Sequence, residues 1–85
     1  MYYVYVLKAK DNGDYYVGYS SDLRRRLAEH KSGQSRFGIQ HKDIELVYYE
    51  AYQSEAIARK REAKLKSHRR VKQLLIERLS GQGSS

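Results

Sequence analysis

Apolar positions along this chain change their spacing from segment to segment, and the changes mark out the elements. Tyr2–Ala9 is a run of aromatic and β-branched residues, which predicts a strand. Asn12-Gly13, flanked by Asp11 and Asp14, predicts a tight hairpin turn, and Tyr15–Tyr19 predicts the strand returning from it. Ser20, Ser21 and Asp22 offer N-caps to a helix over Leu23–Lys31, which Ser32-Gly33 ends. Gln34–Asp43 is polar and irregular and reads as a loop, and Glu45–Tyr49 predicts a third strand. Ser54 with Glu55 opens a second helix reaching about Lys66. Ser67 is placed to cap a third over Arg69–Leu79, whose apolar stripe is Val71, Leu74, Leu75 and Leu79. The chain has no proline, so glycines and polar turns must make the breaks. The order ββα-β-αα predicts an α+β domain over residues 1–79, a three-stranded antiparallel sheet packed with about three helices. Ser80–Ser85 (SGQGSS) reads as a flexible tail.

Two of these helices carry polar residues on their apolar stripes. In the first, the i, i+3, i+4, i+7 positions are Leu23, Arg26, Leu27 and His30. A snorkelling arginine and a hydrogen-bonded boundary histidine would explain each singly; both on one inward face point to a site. In the second, Ala58, Glu62 and Leu65 share a stripe, so Glu62 lies off the charged face of Arg59, Lys60 and Lys64. A carboxylate there is costly unless paired or metal-bound. Spacing alone leaves open a structural ion pair, with Arg26 as a candidate partner, and a ligand role.

The tyrosines add a third feature. A two-residue loop at Asn12-Gly13 would set Tyr5 opposite Ser20 and Tyr16 opposite Ala9, with Tyr3, Tyr5, Leu7, Tyr16 and Gly18 on one sheet face. Tyr5 and Tyr16 would then be offset by roughly 13 Å, at about 3.3 Å per residue, too far to meet at one atom. A bulge or a longer loop would bring them together. Gly18 leaves room beside Tyr16 for a ligand or a neighbouring chain segment.

Composition narrows the function classes. At 85 residues the expectation is one small domain, and with no cysteine neither disulfides nor thiolate metal sites are possible. The longest apolar run, Tyr2–Leu7, is far short of the about 20 residues that span a bilayer, and it lacks the flanks of a signal peptide. A cytoplasmic protein with no membrane partner is expected. The net charge of +7 implies a polyanionic partner. Arg59–Lys72 holds eight Lys or Arg and a single acid, Glu62. A basic run around an inward carboxylate suits a phosphate backbone drawn toward a bound cation.

These residues also resemble a known family. Tyr3-Val4-Tyr5 and Tyr16-Val17-Gly18 stand where GIY-YIG nucleases carry their two naming tripeptides. The likeness continues through Tyr19-Ser-Ser-Asp-Leu-Arg-Arg-Arg-Leu-Ala-Glu-His30, Leu46-Val-Tyr-Tyr-Glu50 and Ala58-Arg-Lys-Arg-Glu-Ala-Lys-Leu-Lys-Ser67, and is greatest to the short one-domain members. It implies hydrolysis of a nucleic-acid phosphodiester with one divalent cation, Mg²⁺ or Mn²⁺. It matches Tyr5 and Tyr16 to the tyrosines that flank the attacking water, Arg26 to the arginine on the scissile phosphate, and Glu62 to the metal ligand. His30 matches a frequent histidine of variable role. Arg24, Arg25, Arg59, Lys60, Lys64, Lys66, Arg69 and Arg70 are the basic residues expected to contact nucleic acid. DNA, recognised by structure more than by sequence in repair or recombination, is the expected substrate, with the protein a monomer or weak homodimer. The chain departs from the family pattern in its first tripeptide, Tyr-Val-Tyr for Gly-Ile-Tyr. It also lacks an asparagine downstream of Glu62, where several family nucleases use one to position substrate. A non-catalytic nucleic-acid-binding domain of the same fold is the alternative, and a protein-interaction domain pairing through its tyrosine-rich strands is a third reading.

Overall fold

Strand β1 (Tyr2–Ala9) has an apolar or aromatic side chain at nearly every position, so both its faces can be covered. It accordingly takes the centre of the sheet. In the computed structural model, which describes residues 1–11, 13–41 and 43–80, β2 (Tyr15–Ser20) and β3 (Ile44–Tyr52) pair with it on either side in the order β2-β1-β3, both antiparallel. Helices α1 (Leu23–Lys31) and α2 (Arg36–Gln40) cover one face, and α3 (Glu55–Ser67) and α4 (Arg69–Ser80) the other. Val4 and Val6 turn toward α3 and α4 and pack with Val17, Ala58, Leu65 and Leu75. Tyr5, Leu7 and Ala9 turn the other way, onto Phe37 and Ile44, with Tyr16, Leu23, Leu27 and Leu46 at the margin. The whole of Val4–Leu7 is buried, at about 1.5–3 kcal/mol for each large side chain. The α+β class and the three-stranded antiparallel sheet match the expectation. Among the described residues no helix is long and apolar enough to cross a membrane.

Local chemistry sets most of the boundaries. Asp22 caps α1, its Oδ1 accepting the Arg25 N–H at 3.1 Å, and Gly33 at φ +82° turns the chain out of the helix. Ser54 caps α3 through the Ile57 N–H at 3.3 Å. Four expectations need correction. Residues 34–43 are not all loop: Ser35 accepts the Gly38 N–H at 3.0 Å and opens the short helix α2, which buries Phe37. Ser67 does not cap α4; it is the last residue of α3, and its hydroxyl donates to the Ala63 carbonyl at 2.7 Å. Strand β3 is longer than expected and bulged where its register against β1 shifts between Val6 and Leu7, which puts both Val47 and Tyr48 on the α3 side.

The fourth correction concerns the hairpin. The Ala9 N–H donates to Asp14 and the Gly13 N–H to Ala9, each at 2.8 Å, so the connection is four residues long, not two. Tyr5 therefore lies opposite Gly18, and Tyr16 opposite Leu7. The offset between the two tyrosines falls from four residues to two. Asn12 and the tail positions Gly81–Ser85 lie outside the described residues.

One polar cluster fixes how α3 sits on the sheet. The Glu50 carboxylate on β3 accepts Arg61 Nε at 2.9 Å and Nη2 at 3.0 Å, and the Tyr48 and Tyr52 hydroxyls at 2.5 Å each. Burial alone would raise the Glu50 carboxyl, but hydrogen bonds from Arg61, Tyr48 and Tyr52, with the Arg61 charge, hold it below the ordinary range. The two-pronged arginine contact restricts the rotation of α3, and with it the direction of the neighbouring Glu62. Arg61→Ala is expected to cost about 2 kcal/mol, the scale of hydrogen bonds to a charged group, and to lower the melting midpoint by roughly 8–16 °C. Arg61→Lys should recover only part of this, because an ammonium cannot form the fork. An unchanged midpoint in Arg61→Ala would mean that apolar packing alone seats α3.

Candidate functional site

Tyr5 leaves the middle of β1 toward α1, and its side chain is 1% exposed. Gly18 makes that possible. A Cβ at Gly18 would overlap the Cζ and hydroxyl of Tyr5 and lie 2.9 Å from Tyr16 Cε2. With only hydrogen there, the Tyr5 ring extends across β2, and its centroid comes within 6.4 Å of the Tyr16 ring. His30, in the last turn of α1, is fully buried against both rings, with centroids 5.8 Å from Tyr5 and 5.1 Å from Tyr16. Both of its nitrogens are engaged. Nε2 lies 2.9 Å from the Tyr5 hydroxyl, and Nδ1 is hydrogen-bonded to Ser35 Oγ. Phe37 of α2 stacks on Tyr16 at 5.0 Å and packs the cluster from the far side.

Arg26, one turn before His30, is held by Glu29 through Nη1 at 2.9 Å. It is thus not the partner of Glu62 that the spacing left open. Glu62 approaches from the α3 side, with its side chain 20% exposed, and its Oε2 lies 2.9 Å from Lys66 Nζ. Lys66 in turn sits 5.8 Å from the Tyr16 ring centroid, which ties this end of α3 to the tyrosine pair.

Electrostatics couples these groups. Burial pushes the Tyr5 phenol up to about 12; the Tyr16 and Glu62 charges add to the rise, while hydrogen bonding and charge from Arg26 oppose it. Tyr5 is thus a neutral phenol at rest. Glu29 raises Arg26 further, against its partial burial, so Arg26 is always charged. Burial lowers His30, and the Arg26 charge lowers it again, against a smaller opposing pull from Glu29. A neutral His30 can accept a proton at one nitrogen and donate at the other.

The structure therefore brings Tyr5, Tyr16, Arg26 and His30 into one cluster, with Glu62 in electrostatic range. The basic residues are divided. Arg24 and Arg25 lie on α1, and Arg59, Lys60, Lys64, Lys66, Arg69 and Arg70 lie on the opposite helical layer, all of them exposed. Arg59 is already engaged, 3.3 Å from Glu55 and 4.4 Å over the Tyr19 ring. Sequence reasoning missed Glu29, Ser35 and Phe37. Glu29 was detectable as an acid three positions after Arg26. Ser35 was detectable only as a cap three positions before Gly38.

Among the described residues no group of three or more histidines or carboxylates could hold an ion. The donor set is one part-buried carboxylate. That fits a hard ion of the magnesium type, which commonly takes one or two carboxylates and completes its shell with water and substrate phosphate oxygens.

The lowered His30 has a consequence for stability. An unfolded histidine binds its proton near pH 6.5, while folded His30 refuses it until a lower pH. Across that interval the unfolded state binds more protons, so stability falls as pH falls. The melting midpoint should drop as pH goes from 7 to 5, and His30→Gln should flatten this part of the profile. An equally steep drop in the variant would place the dependence elsewhere.

Comparison with known proteins identifies the family of the whole domain. The family described as GIY-YIG catalytic domain matches residues 1–74. The UPF0213 protein SSP2268 of Staphylococcus saprophyticus is 35% identical over 76 residues, covering 88% of this chain and 92% of its own. A UPF0213 protein of Streptococcus pneumoniae is 41% identical over 69 residues, covering 80% of this chain and 69% of its own. The solution NMR structure of a UPF0213 protein from Bacillus halodurans superposes with a TM-score of 0.54 at 35% identity, over 88% of this chain and 83% of that one. The chain belongs to the GIY-YIG family.

Proposed function

We propose that this protein is a metal-dependent nuclease that hydrolyses phosphodiester bonds in DNA, selecting structure more than sequence. The family is of nuclease type. The observation that carries the reading is the buried Tyr5–His30 hydrogen bond, with Tyr16 and an always-charged Arg26 beside it and the Glu62 carboxylate in range. Glu62 would hold the cation, Mg²⁺ or Mn²⁺, whose charge favours attack at phosphorus and departure of the leaving oxygen. Arg26 binds the scissile phosphate and offsets the charge gathering on it. Tyr5 and Tyr16 flank the attacking water.

A phenol raised to about 12 is a poor base by itself. His30 supplies the missing acceptor. In the tautomer with Nδ1–H donated to Ser35, Nε2 accepts the Tyr5 proton as the Tyr5 oxygen takes one from water. The resulting hydroxide forms the new P–O bond, the old P–O bond breaks, and the leaving oxygen takes a proton from solvent. Cleavage should then decline on the acid side as His30 becomes protonated, below the ordinary histidine range.

The test is a panel of branched, nicked and single-stranded DNA with Mg²⁺, with Mn²⁺ and with chelator. Cleavage is expected with either ion and not with chelator. Glu62→Ala should abolish it while nucleic-acid binding stays within a few-fold. Undiminished cleavage by Glu62→Ala would remove Glu62 from the mechanism. One observation favours a second reading, a domain that binds nucleic acid without cutting it: Lys66 occupies the Glu62 carboxylate. Tight binding by the wild type with no cleavage of any substrate would establish that reading instead.

A further inference from the structure

A cavity of about 410 Å³ lies between β1, β3 and the start of α1, outside the cluster described above. Leu23 and Leu27 form apolar lining, and Tyr3 and Tyr49 line it with aromatic rings set edge to face at 6.1 Å. Arg24 and Asp22 also line it, one a donor fork and the other an acceptor. Tyr49 is 54% exposed.

We propose that this cavity takes one unpaired nucleobase from the strand whose phosphate sits at Arg26 and Tyr5. The inference rests on the nucleic-acid reading above and names the feature of the substrate that is selected. Three observations lead to it. The first is position. Tyr49 lies directly opposite Tyr5 in the β1–β3 register, on the same sheet face and one strand spacing away, about 4.8 Å. Arg26, proposed to hold the phosphate, lies on α1 between Leu23 and Leu27, which both line the cavity, so a nucleoside next to that phosphate is within reach of it. The second is chemistry. The volume falls within the about 300–1,000 Å³ usual for small-ligand sites. Aromatic rings on apolar lining match the face of a base, and adjacent donor and acceptor groups match its edge. In a duplex those faces are stacked and those edges paired, so only an unpaired base can use them. The third is charge. The net charge of +7 favours a polyanion at large. Asp22 and Arg24 offset each other in the lining, so the cavity itself adds no net attraction for a phosphate and suits the uncharged base.

The test uses the full chain in chelator, which prevents cleavage, and two fluorescein-labelled DNA hairpins. They differ only in one bulged 2-aminopurine. The wild type is expected to bind the bulged hairpin more tightly and to quench its 2-aminopurine on stacking. Tyr49→Ala should weaken binding of the bulged hairpin by roughly 5- to 150-fold, the range for loss of one base–aromatic stack, and abolish the quench. Its affinity for the paired hairpin should stay within twofold, and its salt dependence should be unchanged, since no charge is lost. Tyr49→Phe should behave as wild type. Tyr49→Leu, which keeps apolar packing but has no aromatic face, should behave as Tyr49→Ala, and this separates stacking from any loss of fold. Equal binding of both hairpins by the wild type, or equal losses on both in Tyr49→Ala, would overturn the base site and leave the nuclease reading standing. Failure of the wild type to bind either hairpin would overturn both.

Discussion

The close passage of Tyr5 over Gly18 is the contact on which the candidate site depends. A side chain at Gly18 would take the space of the Tyr5 hydroxyl, and the ring would have to leave its place against His30. That place also belongs to the core, because Tyr5 packs with Leu7, Ala9, Phe37 and Ile44. A residue proposed to act in the chemistry is therefore held with the rigidity of an interior side chain. Interiors are close-packed and yield little, so the hydroxyl is positioned by the burial that drives folding.

Burial also decides the resting protonation states. Tyr5 stays a neutral phenol and His30 a neutral imidazole, because a charge on either would be poorly solvated. Arg26 keeps its charge because Glu29 holds it at the margin of the same cluster. A hydrogen-bonded line runs from the Tyr5 hydroxyl through His30 and Ser35 to the Gly38 N–H, and so joins β1, α1 and α2. The short helix α2 thus has a clear role: its capping serine orients the histidine.

Glu62 belongs to the other layer, and its position rests on different forces. Ala58 and Leu65 bury the inner stripe of α3, and the fork between Arg61 and Glu50 fixes its rotation. Glu62 is left near the Tyr16 edge with Lys66 as its partner. An exposed lysine is a flexible counter-ion that a stronger cation can displace. The two halves of the cluster come from opposite sides of the sheet, so its geometry responds to both the α1 packing and the β3–α3 clamp.

Much of this was determined by the sequence alone. Strand and helix types followed from local composition and spacing, and Asp22, Gly33 and Ser54 marked ends through groups acting within a few residues. The oddity of Arg26, His30 and Glu62 was legible because helical periodicity assigns a face before any partner is known. The partners were not legible. Whether Glu62 met Arg26 or Lys66 depended on how α3 is seated across the sheet from α1. The hairpin register depended on hydrogen bonds at Ala9, Asp14 and Gly13 that compete with the tight turn expected of Asn-Gly. Helix α2 escaped notice because five residues carry too little periodicity, and Phe37 is buried largely by residues of distant strands, among them Tyr5, Leu7 and Tyr16. Local interactions act between residues a few positions apart and leave a readable period. The meeting of Tyr5, Tyr16, His30 and Ser35 joins residues up to 30 positions apart, and only the packed sheet and its helices decide it.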